Sequence, residues 1–188
     1  MTFASQRACA ILLFALLHSV AQAREISPAP QASYEALFTP GDAIDACLVE
    51  MIDGARSEVL VNAFTFTSRR IERALVKAHL RGVRVEILAD RMQTFDLPGS
   101  AVPALARHGI AVWLDGNFAA AHNKVIVIDG ASTQAAIATG SYNYTAAAQS
   151  RNAENVLIVR HDTALALQYR ANFMRLRDRA QRFDGARR

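Results

Sequence analysis

Val125-Ile126-Val127-Ile128, four β-branched apolar residues closed by Asp129-Gly130, constrains the fold more than any other stretch of the chain. Branched side chains are stiff at χ1 and pack well on a pleated surface, and Asp-Gly is a turn signal, so the run reads as a buried strand. The flanking sequence sets a rhythm around it. A strand is expected over 34–38, and a helix opens at Thr39-Pro40, with the proline at its first position, and ends at Gly54. Residues 59–66 read as a strand. Residues 68–80 carry Ile71, Leu75 and Ala78 on one helical face and stop at Gly82, after which Val83, Val85, Ile87 and Ala89 alternate as a strand. A short helix over 102–107, strands over 110–114 and 155–160 and a helix over 163–182, with Leu165, Tyr169, Phe173 and Leu176 as its buried stripe, complete the pattern. Strands alternating with helices predict an α/β fold, a mixed and mostly parallel β-sheet with helices on both faces.

Polar residues frame the buried strand. His122 and Lys124 stand at its entrance, two residues apart, so on an extended chain they share a face at roughly 7 Å. One phosphoryl group can touch both. Asp129, five positions beyond Lys124, falls about 17 Å away on the opposite face and reads as a turn and hydrogen-bonding residue. Alone, His122 is an ordinary histidine at the mouth of a strand, but Lys124 puts a charge at the edge of the core, which needs an anion to pair with it. Further on, Gly140-Ser141-Tyr142-Asn143 leads into Thr145-Ala146-Ala147-Ala148, a good helix start. Capping is the plain role for Ser141 and Asn143 there, and free N–H groups at a helix start also favour anions.

His-x-Lys, four residues, Asp, then Gly-Ser-x-Asn resembles the signature of the phospholipase D superfamily, and the chain from about Ser33 onward is similar to its small bacterial nucleases. Ala153-Glu154-Asn155 matches a further position, where the family carries a Glu close to the active site. Ten residues separate Asp129 from Gly140, more than is usual in the family, and the extra ones are expected in the hairpin loop after Gly130. The resemblance implies a phospholipase D-like fold and a catalytic set of His122, Lys124 and Glu154, with Glu154 accepting a hydrogen bond from His122. Lys124, Ser141 and Asn143 would hold the phosphate oxygens. One motif copy per chain implies a homodimer that joins two His122 residues across a two-fold axis, one forming a phosphohistidine and the other protonating the leaving oxygen.

Residues 1–23 carry Arg7, an apolar core from Ala10 to Leu17, and Ala21-Gln22-Ala23, the features of a signal peptide cleaved after Ala23. That core is shorter than the ~20 residues of a membrane span. An exported protein, periplasmic or secreted, is expected, with a linker over 24–32, a catalytic domain over 33–182 and a tail over 183–188. Cys9 would leave with the signal, so Cys47 has no intramolecular partner and reads as core. Loss of Arg7 lowers the formal charge from +4 to +3, a mild basic excess that selects no partner by itself. No zinc or magnesium spacing appears among the histidines and carboxylates, and no cofactor is expected.

Arg69, Arg70 and Arg91 follow strands, at the edge where an α/β sheet usually builds its site, and are expected to contact the substrate backbone. Phe64 and Phe66 suit base stacking but read as core. Three functions remain. A metal-independent nuclease cutting DNA, and RNA as an alternative, with little sequence preference leads, because backbone chemistry needs no base readout. A phospholipid head-group hydrolase keeps the chemistry, but the sequence lacks an amphipathic docking helix. A binding protein for nucleic acid or anionic lipid that has lost turnover is the third, disfavoured by the intact polar set.

Overall fold

The computed structural model describes residues 26–186, so the signal-peptide expectation lies outside the described residues. Among these residues eight strands form one sheet in the order β1-β7-β6-β5-β2-β3-β4-β8. They are β1 (Ser33–Thr39), β2 (Glu58–Ala63), β3 (Arg84–Asp90), β4 (Ala111–Asp115), β5 (Val125–Ile128), β6 (Ala136–Gly140), β7 (Glu154–Arg160) and β8 (Gln181–Phe183). The helices are α1 (Ile44–Gly54), α2 (Arg69–Leu80), α3 (Arg91–Asp96), α4 (Val102–Arg107), α5 (Ala146–Ser150) and α6 (Thr163–Arg177). The fold is α/β with a mixed sheet, but the mostly parallel expectation fails: only β2–β3 and β3–β4 pair in parallel, and the other five pairings are antiparallel. The βαβ rhythm holds only up to β4. Beyond it no strand enters by a βαβ crossover: β6 follows β5 as a hairpin, and β5, β7 and β8 pair antiparallel with β2, with β6 and β1, and with β4.

Strand β5 shows why four apolar residues stand in a row. Ile126 and Ile128 join the core shared with α1, α2 and α4, while Val125 and Val127 face Phe173 and Leu176 of α6. A strand covered on both faces has no polar side. Helix α2 forms as expected, with Ser68 capping it by accepting a hydrogen bond from the Ile71 N–H. Helix α1 starts later than expected, at Ile44, because Thr39 ends β1 and Pro40 lies in the turn that follows. Strand β2 stops at Ala63, short of Phe66. Helix α6 stops at Arg177 rather than 182, and the chain turns back to pair Phe183 with Val112 as an edge strand, which places the first residue of the expected tail in the core.

Candidate active site

The polar residues of the motif meet on one rim of the sheet. The C-terminal ends of β2, β3 and β4, the start of β5, the end of β6 and the start of β7 all reach it, as the antiparallel register Asn62↔Val125 and Val125↔Thr139 requires. Two close approaches hold the rim together. A Cβ on Gly140 would lie 2.1 Å from the Asn155 carbonyl oxygen, so only glycine lets β6 and β7 come this near. The segment after β2 is stitched to the segment after β6, with the Thr67 and Ser68 N–H groups donating to the Tyr144 carbonyl and the Tyr144 N–H to that of Thr65.

His122 and Lys124 precede β5 in irregular chain, and the lysine folds back instead of standing 7 Å away. Its Nζ donates to the His122 carbonyl at 2.8 Å and lies 3.0 Å from the ring Nδ1. Phe64, expected in the core with Phe66, sits half-buried beneath both, its ring centroid 4.4 Å from that of His122 and 4.8 Å from Nζ. Phe66 is buried against Tyr144. His122 is exposed and Lys124 is buried. Burial pushes the Lys124 ammonium below the usual lysine range, and the Glu154 carboxylate partly restores it.

Glu154 does not pair with His122 in this chain. Its Oε2 accepts from Ser141 Oγ at 2.5 Å and its Oε1 from Asn152 Nδ2 at 2.8 Å. The β6–β7 pairing decides this, because it sets Ser141 beside Asn155, whose N–H donates to Ser141 Oγ. Asn143 Oδ1 accepts from the Thr65 N–H at 3.4 Å, and its NH2 group has no partner among the described residues. Neither Ser141 nor Asn143 caps α5; Thr145 does, accepting from the Ala148 N–H.

Asp129 lies at the opposite end of β5, with φ 47°, and accepts from the N–H groups of Arg56, Ser57 and Glu58 and from Ser57 Oγ. The long loop after Gly130 is at that end too, away from His122. Arg69 pairs with Glu72 and Arg70 with Asp45, and both remain about half exposed. Arg91 lines a separate depression with Phe95 and Phe183 instead of the surface around His122.

Two acidic residues of this rim escaped the sequence reading. Asp90 ends β3 buried, caps α3 through the Gln93 N–H, and accepts from the Ala121 N–H at 2.9 Å, which pins the chain one residue before His122. Asp115, its register partner on β4, faces a cleft of about 550 Å³ that His122 also lines. A carboxylate closing a parallel strand was the available signal. Among the described residues no three His, Cys, Asp or Glu side chains converge to hold a metal ion, and no helix is long and apolar enough to cross a membrane.

A buried lysine and an exposed histidine in contact, beside an unpartnered amide, are a set of groups for a phosphodiester. The family described as "Cardiolipin synthase, PLD-like domain" matches residues 48–177. A phospholipase D of Rickettsia bellii is 37% identical over 149 residues, 79% of this chain and 71% of that protein. A mitochondrial cardiolipin hydrolase of Xenopus laevis is 35% identical over 151 residues, 80% of this chain and 68% of that protein. The crystal structure of a phospholipase D family member, Nuc from Salmonella typhimurium, superposes with a TM-score of 0.76 at 28% identity, covering 81% of this chain and 99% of that one. The chain belongs to the phospholipase D superfamily, whose members hydrolyse phosphodiesters.

Proposed function

We propose that the protein is an exported nuclease that hydrolyses phosphodiester bonds of DNA, and of RNA as a second substrate, without a metal, in a homodimeric site. The observation that carries this is the Lys124–His122 contact: a buried ammonium neutralises a phosphate oxygen where the histidine meets phosphorus. His122 Nε2 attacks phosphorus to form a P–N bond, the bond to the leaving oxygen breaks, and a second His122 protonates that oxygen. The second imidazole then takes a proton from water, the hydroxide attacks phosphorus and the P–N bond breaks. The copy that protonates the leaving oxygen does so as the imidazolium, with both ring nitrogens protonated, and becomes the neutral imidazole that serves as the base; Lys124 Nζ, 3.0 Å from Nδ1, must leave the ring for that. The nucleophilic copy needs Nε2 bare and Nδ1 protonated, a state reached when the phosphate draws Lys124 off the ring. Ser141 and the free Asn143 amide add donors, and Asp90 positions His122 through Ala121.

A sheet face left uncovered among the described residues supports the dimer. Helix α6 packs across β2 to β5, whereas on the same face of β1 and β7 Tyr34, Phe38 and Leu157 stand 52%, 56% and 41% exposed. The register pairs Phe38 with Asn155 and Ala36 with Leu157, so this apolar strip runs up to the rim of Ser141 and His122. A self-complementary strip there would seat a second copy with its own His122 at the site. Phospholipid hydrolysis is the second reading, favoured by the relatives that bear lipid-hydrolase names. Digestion of plasmid DNA, RNA and phosphatidylcholine vesicles in excess EDTA, with His122→Ala alongside, tests the choice. The proposal expects nucleic-acid cleavage by the wild type only. Phosphatidylcholine turnover with intact nucleic acid would replace it, and inactivity on all three would return the binding-protein reading.

A further inference from the structure

The cleft beside His122 contains polar groups for which the hydrolytic mechanism has no use. Its floor carries Asn62 and Asp115, which are 6% and 2% exposed. The Asn62 side-chain amide has no hydrogen-bond partner among the described residues. Asp115 Oδ1 accepts from the N–H and Nδ2 of Asn117, at 3.0 and 3.1 Å, and Oδ2 has no partner among them. Both side chains line the cleft, where their free donors and acceptors can meet a ligand with complementary groups. The rim adds the exposed Phe118 ring and Arg175, whose guanidinium bonds Asn172 Oδ1 at 2.5 Å.

We infer that this cleft receives one unpaired nucleobase next to the scissile phosphate and favours bases that present hydrogen-bond donors, guanine above all; the inference rests on the nuclease reading. Bases stack on aromatic rings and guanidinium planes, which Phe118 and Arg175 supply, and the flat edge that enters can meet both acceptor and donor at Asn62. Asp115 Oδ2 only accepts. Guanine offers N1–H and N2–H2 side by side, cytosine and adenine one amino group each, and thymine a single N3–H between two carbonyls that a carboxylate repels. Inside a duplex these edges are paired or stacked, so the cleft selects single strands or unpaired positions. A cationic lipid head group fits less well: Arg175 repels it, and a quaternary ammonium gives Asn62 nothing to bond. The groove therefore adds a local base preference to a chemistry that otherwise reads only backbone.

The test uses fluorescently labelled oligothymidylates with one internal guanine, cytosine or adenine, single-stranded and annealed to complement, cleaved in EDTA and mapped on a sequencing gel. Cutting is expected to concentrate at a linkage beside the guanine, by roughly tenfold over thymine linkages, and to disappear in the duplex. Asp115→Asn keeps an oxygen for Asn117 but turns the free acceptor into a donor, so the guanine-to-thymine ratio should fall at least about tenfold. Phe118→Ala, a change at an exposed side chain, should raise KM for the single strand about tenfold with little effect on kcat. Even cutting at every linkage, single-stranded and duplex alike, would overturn the inference and leave the nuclease reading standing. No cutting of any oligonucleotide, with release of ethanolamine from phosphatidylethanolamine vesicles, would overturn both.

Discussion

Lys124 holds a charge in a buried place, and its neighbours set the pH range over which that charge survives. Burial lowers its pKa and Glu154 raises it, so Glu154→Gln lowers it further. The ammonium is the form that neutralises phosphate, so the alkaline limb of the kcat/KM profile is expected to move to lower pH in Glu154→Gln, whatever the change in height. A limb that stays in place would remove Lys124 from that role. His122→Ala is expected to fold and lose turnover; a folded variant keeping more than about a tenth of wild-type activity, an effect below about 1.4 kcal/mol, would exclude the histidine as nucleophile. At this scale the sequence was readable where chemistry sits in short runs, as with His122, Lys124, Ser141 and Asn143. It was not readable for Asp90 and Asp115, because their meaning depends on which strand ends share a rim. The partner of Glu154 was misread for the same reason: the register of two strands gave it Ser141 rather than His122.

Single elements divide the motif into a chemical end and a structural end. Asp129 organises four donors where β5 turns, away from His122, so Asp129→Ala is expected to cost about 3 kcal/mol, roughly 10 °C in Tm, while the folded fraction keeps its kcat. Thermal unfolding and active-site titration separate the two, and loss of kcat with unchanged Tm would reverse the assignment. Gly140→Ala puts a methyl against the Asn155 carbonyl, and prying β6 from β7 is expected to cost about 1–3 kcal/mol and to disturb Ser141 and Glu154 together. Periodicity revealed α2 and β3 almost to the residue because α2 buries one regular face and alternate residues of β3, Val85, Ile87 and Ala89, enter one core. It missed β8, three residues whose strand character comes from pairing with β4, and it read Thr39-Pro40 as a helix start because proline serves turns and first helical positions alike.

For the whole molecule, local pattern carried the α/β class but not the strand directions, since connection length and pairing partner decide them after β4. Among the described residues the same sheet leaves the strip of Tyr34, Phe38 and Leu157 uncovered, and in the proposed dimer a charge there should separate the copies. Leu157→Glu is expected to sediment as a monomer and to lose at least about tenfold in activity; a fully active monomer would mean that one chain makes a complete site. Attack by His122 in the proposed mechanism leaves it covalently attached to phosphorus, an intermediate that trapping can catch. Wild-type protein mixed with phosphorus-labelled DNA in excess EDTA and quenched in alkaline denaturant is expected to carry label that is stable to base, released by mild acid and absent from His122→Ala. Rapid cleavage with no trapped label, or with label retained in the His122→Ala protein, would contradict it.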